Sequence, residues 1–130
     1  MPSMKREERA DETQRLGVLT RPGSQADTVV LAVTGELDHD TAAPLREALD
    51  GAGTSSRIVV DCSGLRFCDS TGLNVLLRAR LRLVEGGGRL DLAGLRPPVD
   101  RMFEITGART VFRVYEDAAE ALADGRRPGE

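Results

Sequence analysis

Two short stretches of this 130-residue chain hold the residue types that could do chemistry. Phe67 to Leu77, FCDSTGLNVLL, sets Asp69, Ser70 and Thr71 directly before Gly72 and an apolar run. Glu36 to Thr41, ELDHDT, places the single histidine, His39, between Asp38 and Asp40. A nucleophilic serine needs a base, and His39 is the one imidazole on offer. A working base must be oriented by a third group rather than merely flanked by one, and no Gly-x-Ser-x-Gly elbow surrounds Ser70. A hydrolase is therefore the weaker reading, and His39 reads first as a surface loop residue. Two carboxylates, Asp38 and Asp69, near a serine could hold Mg²⁺ or orient a hydroxyl for phosphoryl transfer; they could equally be two independent helix caps. Asp69, Ser70 or Thr71 is suited to accept a hydrogen bond from the first turn of a helix. A helix start also favours negative charge and offers N–H groups to oxygen acceptors. A phosphate on Ser70, bringing about −1.5 to −2 charge, could be accommodated there without breaking the fold.

The elements that must position these residues follow from periodicity. LGVLT (16–20) and TVVLAVTG (28–35) are rich in β-formers, with Pro22-Gly23 in the turn between them. Asp40 or Thr41 then stands as N-cap of a helix with Pro44 in its first turn and Leu45, Ala48, Leu49 and Ala52 on one face. RIVVDC (57–62) is apolar on both faces, as a central strand requires. A helix from about Thr71 to Val84 carries Leu73, Leu76, Leu77 and Val84 on one side and Asn74, Arg78, Arg82 and Glu85 on the other, with Arg80 intruding among the apolar residues as a snorkelling side chain. EGGGR ends it, and the glycines follow a helix rather than joining strand to helix, which argues against a phosphate loop. LDLAG (90–94) is the next strand. Pro97-Pro98 open a short helix with Val99, Met102, Phe103 and Thr106 on one face, closed by Gly107; TVFRVY (110–115) is a last strand and EDAAEALAD a last helix. Alternating strands and helices after a β-rich start give an α/β sandwich on a mostly parallel sheet, with right-handed crossovers and the first strand as an antiparallel edge.

Composition narrows the function classes. The chain is 40% hydrophobic, 30% charged and 3% aromatic without Trp, so its core is aliphatic and stacking platforms for bases are scarce. A net charge of −3 leaves no basic footprint for nucleic acid. No apolar run reaches membrane-spanning length and the N-terminus lacks a signal-peptide core, so a cytoplasmic protein with no membrane or direct nucleic-acid partner is expected. Cys62 and Cys68 cannot alone form a metal site and read as small core residues. Residues 1–15 read as a flexible extension (Met4 is a second candidate start), 16–123 as the folded domain and 124–130 as a disordered tail. The Ala, Arg and Gly weighting is that of a high-GC bacterium.

VTGELDHDTAAPLREAL, followed by VVDCSGLRFCDSTGLNVLLRAR and PPVDRMFEITGA, resembles the STAS domain of bacterial anti-sigma factor antagonists over about Leu16 to Leu122. Two motifs carry the likeness, Gly-Glu-Leu-Asp and Asp-Ser-Thr-Gly-Leu. The resemblance implies an α/β STAS fold, a mixed, mostly parallel sheet of about five strands with helices packed on it. It implies a non-enzymatic regulator of transcription, acting in a stress response by partner switching. Unphosphorylated, such a protein binds an anti-sigma factor that is itself a serine kinase and frees the sigma factor; phosphorylation at the position of Ser70 switches it off, and a PP2C-type phosphatase resets it. Thr71 would be a secondary acceptor, and Asp38, Asp69, Thr71, Gly72, Asn74 and Arg78 would support phosphorylation or kinase docking. ATP and Mg²⁺ would belong to the kinase; no cofactor or metal is expected for this chain. Asn74 stands where a small residue is common in the family, which bears on kinase identity. Outside the antagonist role, a STAS module could bind a lipid, a nucleotide or a transporter partner in trans.

Overall fold

The computed structural model describes residues 15–124 apart from 24 and 54; the expected extension and tail lie, but for Arg15 and Asp124, outside them. Five strands form one sheet in sequence order: β1 Leu16–Pro22, β2 Thr28–Leu37, β3 Arg57–Cys68, β4 Arg89–Ala93 and β5 Val114–Tyr115. β1 runs antiparallel to β2, with Leu16 opposite Gly35 and Pro22 opposite Val29. Every other pair is parallel. The helices are α1 Ala42–Gly51, α2 Ser70–Glu85, α3 Pro97–Thr106 and α4 Ala118–Ala123. This is the mixed, mostly parallel α/β architecture expected, with β1 as the antiparallel edge.

The central strand has to satisfy two faces. Ile58, Val60, Cys62 and Leu65 of β3 join the main core with Leu31, Leu45, Leu76 and Phe103, while Val59 joins a smaller cluster with Val30, Ala93, Tyr115 and Ala121 beneath α4. That division explains why RIVVDC shows no polar alternation. Both cysteines are free and buried. Burial pushes both thiols up, Cys68 to about 12, so neither carries thiolate character at neutral pH.

Beside that apolar cluster the core beneath α4 also holds buried charge. Arg57 and Asp91 are both buried, and the Arg57 Nη2 to Asp91 Oδ2 distance is 2.9 Å. Arg89 Nε donates to the same oxygen at 2.8 Å. Arg57 also donates to the carbonyls of Ala121 (2.8 Å) and Asp124 (3.2 Å), and its guanidinium lies 5.8 Å from the Tyr115 ring centroid. Every one of these charges is thus answered by an opposite charge or a carbonyl, as burial demands.

Three expectations are corrected. β3 continues past Cys62, where the expected strand ends, to Cys68, with Ser63-Gly64 taken up in a shift of register against β2. A Cβ on Gly64 would lie 2.6 Å from the Thr34 methyl, so glycine permits the close approach that keeps the strand going. The expected strand 110–115 shrinks to Val114–Tyr115: Ala108–Thr110 form a 3₁₀ turn, and Phe112 folds inward to lie 6.1 Å from Phe103, centroid to centroid. On α2 the inward residues are Leu73, Val75, Leu76, Ala79 and Leu83, whereas Val84 faces out.

Candidate functional site

The parallel pairing of β2 and β3 brings the two chemistry-bearing stretches together. Leu37 and Cys68 are partners at the ends of these strands, and the Asp69 N–H donates to the Leu37 carbonyl at 3.1 Å. Asp38 and Asp69 therefore lead off two neighbouring strand-to-helix connections at the carboxyl edge of the sheet, the usual binding edge of a parallel α/β fold.

Asp69 is the N-cap of α2. Its extended backbone turns the chain into the helix, and its Oδ1 accepts from the Gly72 N–H at 3.0 Å. Ser70 is then the first helical residue, exposed, and its hydroxyl makes no hydrogen bond to another described residue. The N–H groups of Ser70 and Thr71 are among those an α-helix leaves without internal partners. Thr71 is half-buried and Gly72 buried. A Cβ on Gly72 would come within 2.5 Å of Leu37 Cγ, so α2 rests directly on the end of β2. Asn74 and Arg78 follow Ser70 at four-residue intervals, both exposed, and continue its stripe along the outer face of the helix.

The neighbouring connection is tied up internally. Asp38 Oδ1 accepts from the N–H groups of Asp40 (2.9 Å) and Thr41 (3.1 Å), and the Thr41 hydroxyl accepts from the Asp38 N–H at 2.9 Å while donating to the Glu36 carbonyl at 2.8 Å. Of the two expected caps of α1, Thr41 occupies the N-cap position, without a side-chain bond into the helix. Arg15 Nη1 lies 3.1 Å from Asp38 Oδ2 and 3.2 Å from Glu36 Oε1. Desolvation pushes the Asp38 carboxyl up, but the Asp40 N–H, the Arg15 charge and Thr41 outweigh it and hold the pKa below the ordinary value. Sequence reading passed over Arg15, which sits in a charge-rich lead-in; only the antiparallel register of β1 on β2, with the Glu36 N–H donating to the Arg15 carbonyl at 2.7 Å, brings it here. It also passed over the exposed Phe67, two residues before the cap, and Leu81, 57% exposed on α2.

His39 is exposed with Nε2 3.3 Å from Asp40, and no hydrogen bond links it to Ser70 among the described residues. Asp38, His39 and Asp40 can bring one ligand atom each within 4.8 Å of one another, a group that does not include Asp69. The Arg15 guanidinium already sits on two of the three, at 3.1 Å from Asp38 and 3.9 Å from Asp40. What the arrangement offers is an unengaged hydroxyl at a helix start, next to a connection whose polar groups are satisfied. No described helix is long and apolar enough to cross a membrane.

Comparison with known proteins places this geometry. The family model described as "Mlab, STAS domain" matches residues 20–115. The anti-sigma F factor antagonist of Paenibacillus polymyxa is 29% identical over 99 residues, covering 74% of this chain and 85% of that protein. The anti-sigma-B factor antagonist of Listeria monocytogenes is 34% identical over 90 residues, covering 68% and 79%. Among solved structures, an anti-sigma factor antagonist from Mycobacterium paratuberculosis superposes with a TM-score of 0.74 at 26% identity, over 85% of this chain and 94% of that one. The Bacillus protein SpoIIAA in its phosphorylated form gives a TM-score of 0.68 at 25% identity, over 85% and 100%.

Proposed function

This chain belongs to the STAS domain family, with anti-sigma factor antagonists as its relatives, and on that premise we propose that it is a partner switch controlled by phosphorylation of Ser70. Unmodified, it binds an anti-sigma factor with serine-kinase activity and frees a sigma factor. Phosphorylated on Ser70 it lets go, and a PP2C-type phosphatase restores it. The observation that carries this reading is the exposed, unbonded Ser70 hydroxyl at the first position of α2. A relative that has been solved in a phosphorylated form supports it.

The physics needs no refolding. A phosphate on Ser70 stays at a helix start, where negative charge is favoured, so the domain itself tolerates the modification. In a partner's interface the same compact dianion meets like charge or is buried unpaired, either of which costs several kcal/mol. That cost is enough to change affinity by orders of magnitude. The stripe Ser70, Asn74 and Arg78, with Leu81 beyond it, is the docking face this reading assigns. Asp38, held by Arg15, and Asp69 stand beside the acceptor as charge-bearing supports. ATP and Mg²⁺ come with the kinase.

The test is incubation with the partner kinase and Mg-ATP, followed by mass spectrometry of the peptide containing Ser70 and Thr71, together with binding of two variants. Phosphate on Ser70, tight binding by Ser70→Ala and weak binding by Ser70→Asp are expected. Equal affinity of the two variants overturns the switch.

A further inference from the structure

A second feature lies at the opposite end of the strands from Ser70 and is independent of the switch. A cavity of about 460 Å³ opens between the end of α2, the glycine turn before β4, the first residues of β4 and the segment before β5. Arg80, whose charge interrupts the apolar side of α2, is half-buried and lines this cavity without an ion pair or hydrogen bond to another described residue. Arg113 lines it from the other side, its ion pair to Asp124 a long 3.9 Å. Arg89 also faces it but is committed to Asp91. Among the residues lining the cavity the three cations Arg80, Arg89 and Arg113 face one anion, Asp91, an excess of two positive charges in a chain whose net charge is −3.

The glycine turn is not the anion holder. The N–H groups of Gly86, Gly87, Gly88 and Arg89 all donate to carbonyls of Arg82, Leu83, Val84 or Ser56. The donors left for a ligand are guanidinium groups, which suit a phosphate by charge and by their planar forks. Two of the lining side chains are exposed and apolar, Val84 and Val111 at 45% and 41%, and form an apolar rim beside the arginines. We propose that this cavity binds a small phosphate ester, its dianion paired with Arg80 and Arg113 and its apolar body lying against Val84 and Val111. The charge excess of two favours a phosphate dianion over a single carboxylate, and the rim favours an ester over the inorganic ion.

The proposal is tested by titrating the full ¹⁵N-labelled chain with phenyl phosphate, inorganic phosphate and phenol in turn. Saturable amide shifts at Arg80, Gly87, Gly88, Val111 and Arg113 are expected with phenyl phosphate, weaker ones with inorganic phosphate and none with phenol. Arg80→Gln, by loss of a charge-assisted pair, and the rim variant Val111→Glu, by setting a like charge beside the dianion, each checked for a well-dispersed spectrum, should weaken phenyl phosphate by roughly tenfold or more. Absence of saturation, shifts confined to the Ser70 face, unchanged affinity in both variants, or inorganic phosphate binding as tightly as the ester would overturn it.

Discussion

Two adjacent strand-to-helix connections of this protein use the same vocabulary, an aspartate followed by a hydroxyl, to opposite ends. In the first, the Thr41 hydroxyl accepts from Asp38 and donates to Glu36, and the Asp38 carboxylate is bound by two N–H groups and by Arg15. In the second, Asp69 alone caps the helix and Ser70 is left unengaged. A hydroxyl that closes a turn is unavailable to a modifying enzyme without local opening; one released from capping by its neighbour can be modified without disturbing the fold. The division of labour between Asp69 and Ser70 leaves the hydroxyl of the second connection exposed and unbonded, which is what the proposed switch requires.

The strongest way to break this contrast is to ask where phosphate goes. With the partner kinase, Ser70→Ala should abolish incorporation while Thr41→Ser leaves it intact; label on Thr41 in tandem mass spectra would erase the distinction. Next comes stability. Thr41→Val should lower the unfolding free energy by about 1–2 kcal/mol, since it strands a half-buried N–H and a carbonyl. Ser70→Ala should stay within about 0.5 kcal/mol of the parent, as an exposed helical position does. Urea melts giving the two variants equal losses would contradict the bonding described above. Asp69→Ala should cost about 1 kcal/mol, the value of an N-cap, and Ser70→Ala should not add to it. The subtlest test is pH. Because the folded pKa of Asp38 lies below the ordinary carboxyl value of 3.8, its ionised form stabilises the fold above that pH, and the contribution drains away as pH falls through the folded value. The stability gap between parent and Asp38→Asn should accordingly be open at neutral pH and close on acidification below about 3.8; a gap that widens would reverse the sign.

Much of the fold could be read from the chain because its local signals agree with one another. The β-branched run at 57–62, the proline-led α3 with Gly107 at φ 80° behind it, and the apolar period of α2 each state their element within a dozen residues. What escaped reading was decided at long range. The expected strand stops at Cys62, and only Thr34 placed against Gly64 across β2 shows why it runs on. TVFRVY looks like a strand until Phe103 captures Phe112 and pulls the segment off the sheet. The site divides in the same manner. The cap at Asp69 and the hydroxyl at Ser70 are local grammar, whereas Arg15 reaches Asp38 through a hairpin register that no short window contains.

The guanidinium of Arg57 has a practical corollary for anyone cutting or extending the domain. A six-residue helix such as α4 is too short to persist alone in water, yet β3 grips its final carbonyls at Ala121 and Asp124. The hydrogen bonds that hold Arg57 therefore reach as far as Asp124. A fragment ending before Ala118 would lose these acceptors from a cation buried at the start of the central strand, so purification tags belong beyond Asp124.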